Sequence, residues 1–113
     1  MKLLVYVLIK VELLQPLLTA LAKDGVSGAT IIDSTGMGRE LADRDEFSLF
    51  GSLKALMSNH NHLTKTLLFV TEDAKTSVIT DVIEKVVGKL DKPDSGIIFT
   101  LPIDSVKGFK KTT

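Results

Sequence analysis

At 113 residues the chain suits one domain of ordinary size, spanning 1–113, and leaves little room for a second. Lys plus Arg is 14 and Asp plus Glu is 14, so the formal net charge of zero argues against a strongly basic nucleic-acid binder and against an acidic disordered tail. Hydrophobic residues make up 44% of the chain, enough for a packed core, and the absence of Cys excludes disulfides, thiol nucleophiles, thiolate zinc sites and iron–sulfur clusters.

The first apolar run, residues 3–9, is rich in β-branched and aromatic side chains and predicts a strand buried on both faces. It is far shorter than the ~20 residues needed to span a bilayer and lacks the features of a signal peptide, so the expectation is a soluble cytoplasmic domain. Leu14, Leu17, Leu18 and Leu21 recur at helical spacing. Pro16 belongs in a first turn, which sets a helix from near Gln15 to before Gly25. Residues 29–34 read as a second strand ended by Gly36 and Gly38, and residues 66–70 as a third. Asp73 is expected to cap a second helix carrying a stripe of Val78, Ile79, Val82, Ile83, Val86 and Val87. Asp81 and Lys85, four apart, are expected to pair across its surface. Gly88 and the polar cluster at 91–96 end that helix, and residues 97–101 form the fourth strand. The order β-α-β-β-α-β predicts an α+β, ferredoxin-like fold: a four-stranded antiparallel sheet with two helices on one face.

Two features exceed what such a fold needs. Two helices cover only one sheet face, yet strands one and three are apolar on both, so Tyr6, Leu8, Leu67 and Phe69 cannot share a face with Val5, Val7 and Leu68. Another copy of the chain is the simplest cover for the second face, on which Tyr6 and Phe69 are expected. The other feature is the connection at about 40–63, far longer than the two to five residues of a hairpin. It begins polar and then carries Phe47, Phe50, Leu53 and Met57 at roughly helical spacing, either a short helix packed on its own domain or a partner-docking segment.

Gly25-Val26-Ser27-Gly28-Ala29-Thr30, then Gly36-Met37-Gly38-Arg39, then the long loop, then a β-α-β ending in Gly96-Ile97-Ile98-Phe99-Thr100-Leu101-Pro102, resembles the PII signal-transduction superfamily. The resemblance covers nearly the whole chain. It implies a homotrimer with the sheets facing inward and adenine nucleotides (ATP, ADP or AMP) bound in clefts between subunits. It also implies a long loop, the T-loop at about 40–63, that docks on transporters or enzymes. By the same resemblance Thr30 stands near the adenine end of the cleft, with Leu68 and Phe69 lining the base pocket. Gly36, Met37, Gly38 and Arg39 form the base of the T-loop, and Gly88 and Lys89 open the loop that wraps the phosphates. The implied role of the nucleotide is that of an effector, with magnesium able to accompany it and no required cofactor.

The chain also departs from the family. Glu40 stands where nitrogen-regulatory members carry a Gln that helps hold magnesium and 2-oxoglutarate, and Ile97 replaces a lysine. The closing arginine pair is absent, leaving Lys107, Lys110 and Lys111 as nearby cations, and the long loop has no tyrosine to uridylylate. These differences point to a PII-like member and away from 2-oxoglutarate sensing.

Chemically, Gly36-Met37-Gly38-Arg39 offers backbone N–H groups beside a guanidinium, suited to a phosphate, or forms a plain turn with Gly38 a candidate for positive φ. Lys107 and Lys110 either neutralise phosphates or belong to a solvated tail. His60 and His62 could hold a metal, as in a CutA-type structural or metal-binding trimer of the same fold, or simply face solvent; no third ligand is evident. No nucleophile–base pair stands out, so the expected activity is regulatory and not enzymatic: a partner protein, plausibly a membrane transporter, controlled through the loop.

Overall fold

The apolar run at the start of the chain becomes β1, Lys2–Leu8, the strand around which the structure is built. The structure, a computed structural model, describes residues 1–42 and 63–109. A 3-10 turn at Val11–Leu13 leads into α1, Leu14–Lys23, with Pro16 in its first turn, where a missing N–H costs nothing. Then come β2 (Ala29–Thr35), a short α2 (Met37–Ala42), β3 (Leu63–Thr71), α3 (Thr76–Val87) and β4 (Ile97–Pro102).

The four strands make one antiparallel sheet in the order β2-β3-β1-β4, and α1 and α3 pack side by side on one face. This is the ferredoxin-like arrangement expected from the element order. Register explains the core. Leu4 pairs with Phe69 and Tyr6 with Leu67, so these side chains share the helix face with Leu8. They close on Leu17 and Leu21 of α1 and on Ile79, Val82, Ile83 and Val87 of α3. Tyr6 and Phe69 therefore lie beneath the helices, contrary to the expectation that they face away; the chain alternates as foreseen, but with the opposite phase.

The other face carries Leu3, Val5 and Val7 of β1, Leu68 and Val70 of β3, Thr30 and Ile32 of β2 and Ile97, Phe99 and Leu101 of β4. Neither α1 nor α3 lies on it. Along β4 its side chains stay in water: Ile97, Phe99 and Leu101 are 58%, 43% and 47% exposed. At the β2 end, Ser34 shares hydrogen bonds with Thr64 (2.6 Å) and Thr66 (2.8 Å), which sit across the strand pair. On the helix face of the same pair, Lys65 donates to Asp33 directly opposite.

Three local expectations are corrected. Asp73 does not cap a helix; it opens a 3-10 turn, Asp73–Lys75, and α3 begins at Thr76 with no side-chain cap. The Asp73 carboxylate instead accepts from the Met1 ammonium at 2.8 Å, which with the nearby positive charge of Lys2 holds it below the usual carboxylate range. Val78 falls outside the buried stripe of Ile79, Val82, Ile83 and Val87 and is exposed. Asp81 and Lys85 form no ion pair among the described residues.

Candidate ligand-binding site

Helix α1 ends in a motif that shapes the neighbouring cavity. Gly25 takes a φ of +81°, its N–H donates to Ala22 O at 3.1 Å, and the Val26 N–H donates to Leu21 O at 2.9 Å, the two bonds of a Schellman cap. The chain then reaches β2 through residues 26–28. Because β2 starts at Ala29, opposite Phe69, the last residues of β3, Val70 and Thr71, pair with β1 but have no β2 partner. The missing strand length leaves a notch.

That notch is a cavity of about 610 Å³ lined by residues 25–30, residues 68–72, Leu3, Lys75, Ile79, Gly108 and Phe109. Its aliphatic walls come from Leu3, Leu68, Val70 and Ile79. Ser27, Thr30 and Thr71 supply hydroxyls, and Glu72 and Lys75 bring charge to the turn before α3. An apolar cavity with a few convergent polar groups is the usual form of a small-molecule site.

Of the residues singled out from the sequence, Thr30, Leu68 and Phe69 meet here; Thr30 and Leu68 are direct cross-strand partners. Phe69 contributes from the helix side and is almost wholly buried. The others do not join them. Gly36 follows the far end of β2, and Met37, Gly38 and Arg39 lie in α2, with Met37 exposed. The plain turn with positive φ at Gly38 is thus corrected: Gly38 lies in the helix Met37–Ala42, and neither Gly36 nor Gly38 has a positive φ. Glu40 accepts a hydrogen bond from the Thr35 hydroxyl at 3.1 Å, which ties the start of α2 to the strand before it.

Gly88 and Lys89 are at that far end too. Helix α3 must return along the sheet, since the loop after it delivers Gly96 against Val7 near the end of β1. Gly88 ends the helix with a φ of +104°, and Glu84 accepts both the Gly88 N–H through its backbone (2.9 Å) and the Leu90 N–H through its carboxylate (3.2 Å). Within one chain the expected site residues therefore fall into two groups at opposite ends of the β2–β3 pair. Lys107 is exposed just before the cavity-lining Gly108. Lys110, Lys111, His60, His62, Phe47, Phe50, Leu53 and Met57 lie outside the described residues, as does all but the ends of the 40–63 connection, of which residues 40–42 continue α2 and Leu63 opens β3.

Sequence reasoning missed Lys75, Gly108 and Phe109. The one available signal was an aromatic residue set between lysines in a tail otherwise read as solvated. Among the described residues no three metal-ligating side chains cluster, and no helix is long and apolar enough to cross a membrane.

A comparison with curated proteins finds no match to this chain. The family model described as nitrogen regulatory protein P-II matches residues 1–112, essentially the whole sequence. With that coverage and the ferredoxin-like sheet, the chain belongs to the nitrogen regulatory protein P-II family of signalling regulators.

Proposed function

We propose that the protein is a non-enzymatic, cytoplasmic signalling trimer that binds an adenine nucleotide between subunits and regulates a partner protein, a membrane transporter, through the segment at 40–63. The observation that carries this reading is the division of the site. Thr30, Leu68 and Phe69 line a cavity at one end of the sheet, while Gly36-Met37-Gly38-Arg39 and Gly88-Lys89 belong to the other. Thr30 and Gly36 stand six positions apart along an extended strand, roughly 20 Å, so one nucleotide is served by both groups most simply when they come from neighbouring chains.

The exposed apolar sheet face is consistent with such neighbours, since a patch that includes Ile97, Phe99 and Leu101 is costly to leave in water. Bound nucleotide would select one arrangement of α2 and of the connection it leads into, and that arrangement would decide whether the partner docks. Arg39, Lys89, Lys107 and Lys110 would hold the phosphates, with Thr30, Leu68 and Phe69 at the base.

The test is a thermal-shift and calorimetric screen with ATP, ADP, AMP, cyclic AMP and cyclic di-AMP, run beside light scattering. Ligand that binds only the folded state raises the melting temperature by mass action. The expected result is a particle of three 12.3 kDa chains stabilised by at least one adenine nucleotide. A monomer, or indifference to every nucleotide, rejects the reading.

A further inference from the structure

After β4 the chain turns back across the sheet end. Gly108 takes a φ of +91°, a conformation open to glycine and strained for other residues, and Gly108 and Phe109 then line the cavity. Phe109 is 43% exposed. A large ring nearly half in water that also lines a cavity with aliphatic walls is within reach of a flat ligand held there. Leu68 and Val70, on the strand beneath, offer the second apolar surface that a flat ring needs, while Ser27 and Thr30 supply hydrogen-bonding groups for its edge.

We propose that Phe109 stacks on the base of the nucleotide held in this cavity, and that the Gly108 turn sets the ring in place. The inference rests on the nucleotide reading above and adds to it a base-contacting residue from the C-terminal segment. The chemistry favours a planar heteroaromatic ring, because its π face stacks on an aromatic side chain over a wide apolar area and a charged phosphate does not. Stacking also makes two demands that ordinary apolar packing does not. It needs an aromatic ring at position 109, and it acts equally on a nucleoside and its phosphorylated forms.

The experiment titrates the full chain with adenosine and with ATP, in wild type and in Phe109→Ala, Phe109→Leu, Phe109→Trp and Gly108→Ala. Removing the ring should weaken both ligands by the same factor, about tenfold. Phe109→Leu should recover little, Phe109→Trp should bind at least as well as wild type, and Gly108→Ala should weaken binding although its added Cβ meets nothing within 4 Å. The chain contains no Trp, so emission from Phe109→Trp reports the contact directly and should change on adding adenosine. Equal affinity in wild type and Phe109→Ala, or full activity of Phe109→Leu, overturns the stacking role while the nucleotide reading stands. Wild type that binds neither adenosine nor ATP overturns the nucleotide reading, and the stacking role with it.

Discussion

The hydroxyl of Tyr6, in the middle of β1, donates a 2.7 Å hydrogen bond to the backbone carbonyl of Ser95, 89 residues further on. Both residues are buried, so this bond joins the first strand to the loop that feeds the last one. The same loop passes so close to β1 that Gly96, with a φ of +94°, has no room for a side chain. A Cβ there would collide with the Val7 carbonyl oxygen and stand 2.8 Å from Tyr6 Cε1.

Gly96→Ala should therefore be among the most damaging small substitutions in the chain. It combines a left-handed backbone with a clash against main chain that cannot swing away, and a loss of about 3 kcal/mol or more is expected. Urea unfolding checks it, with Gly28→Ala as the control: its Cβ meets nothing within 4 Å and its φ is not in the left-handed region.

Tyr6→Phe keeps the ring and removes the donor, leaving the Ser95 carbonyl buried without its partner. The expected cost is about 1–3 kcal/mol in unfolding free energy.

Burial also pushes the Tyr6 phenol up from 10.0 to about 12. The folded state holds this proton more tightly than the unfolded chain does, so the contribution to stability is complete below about pH 10 and is lost as pH rises through about 12. Tyr6 is the only tyrosine and there is no Trp, so phenolate absorbance reads this one group. Titration of the native protein should give a midpoint near 12, falling to the ordinary value in denaturant; a native midpoint at the ordinary value would contradict the burial.

Phe99 tests the open face. It is exposed in the single chain, so Phe99→Asp should leave the secondary structure intact, yet it should dissociate an assembly built on that face by burying an unpaired charge. Light scattering and circular dichroism on the same sample separate the two effects. An undiminished assembly would move the contact elsewhere.

A site shared between chains allows complementation. Arg39→Ala should cost about 1.5–3 kcal/mol, tenfold or more in nucleotide affinity, by removing a charge-assisted contact. Thr30→Lys should block the cavity at the other end. If each site takes one group from each of two chains, unfolding and refolding the two variants together should restore a fraction of full-affinity sites that neither has alone. Sites contained within one chain would show no recovery.

The sequence by itself determined the four strands, the two long helices, the glycine that ends α3 and the surplus of apolar sheet surface, because each depends on local periodicity or on a backbone only glycine adopts with ease. It also carried the family, through an ordered set of motifs whose resemblance runs over nearly the whole chain. It did not determine which sheet face the helices would take. Tyr6, Val7, Leu67 and Leu68 sit in continuous apolar runs with no polar alternation to set the phase, so only the pairing of Leu4 with Phe69 and the path of α1 and α3 decided that Tyr6 and Phe69 are core. Asp73 reads as a helix cap until the fold brings the Met1 ammonium beside it. The cavity was beyond any local pattern as well: it exists because β2 begins two residues short of the end of β3, and because Lys75 and Phe109, remote in sequence from Thr30, are carried to the same notch. Strand registers and chain crossings fix such meetings, and neither is written in the spacing of neighbouring residues.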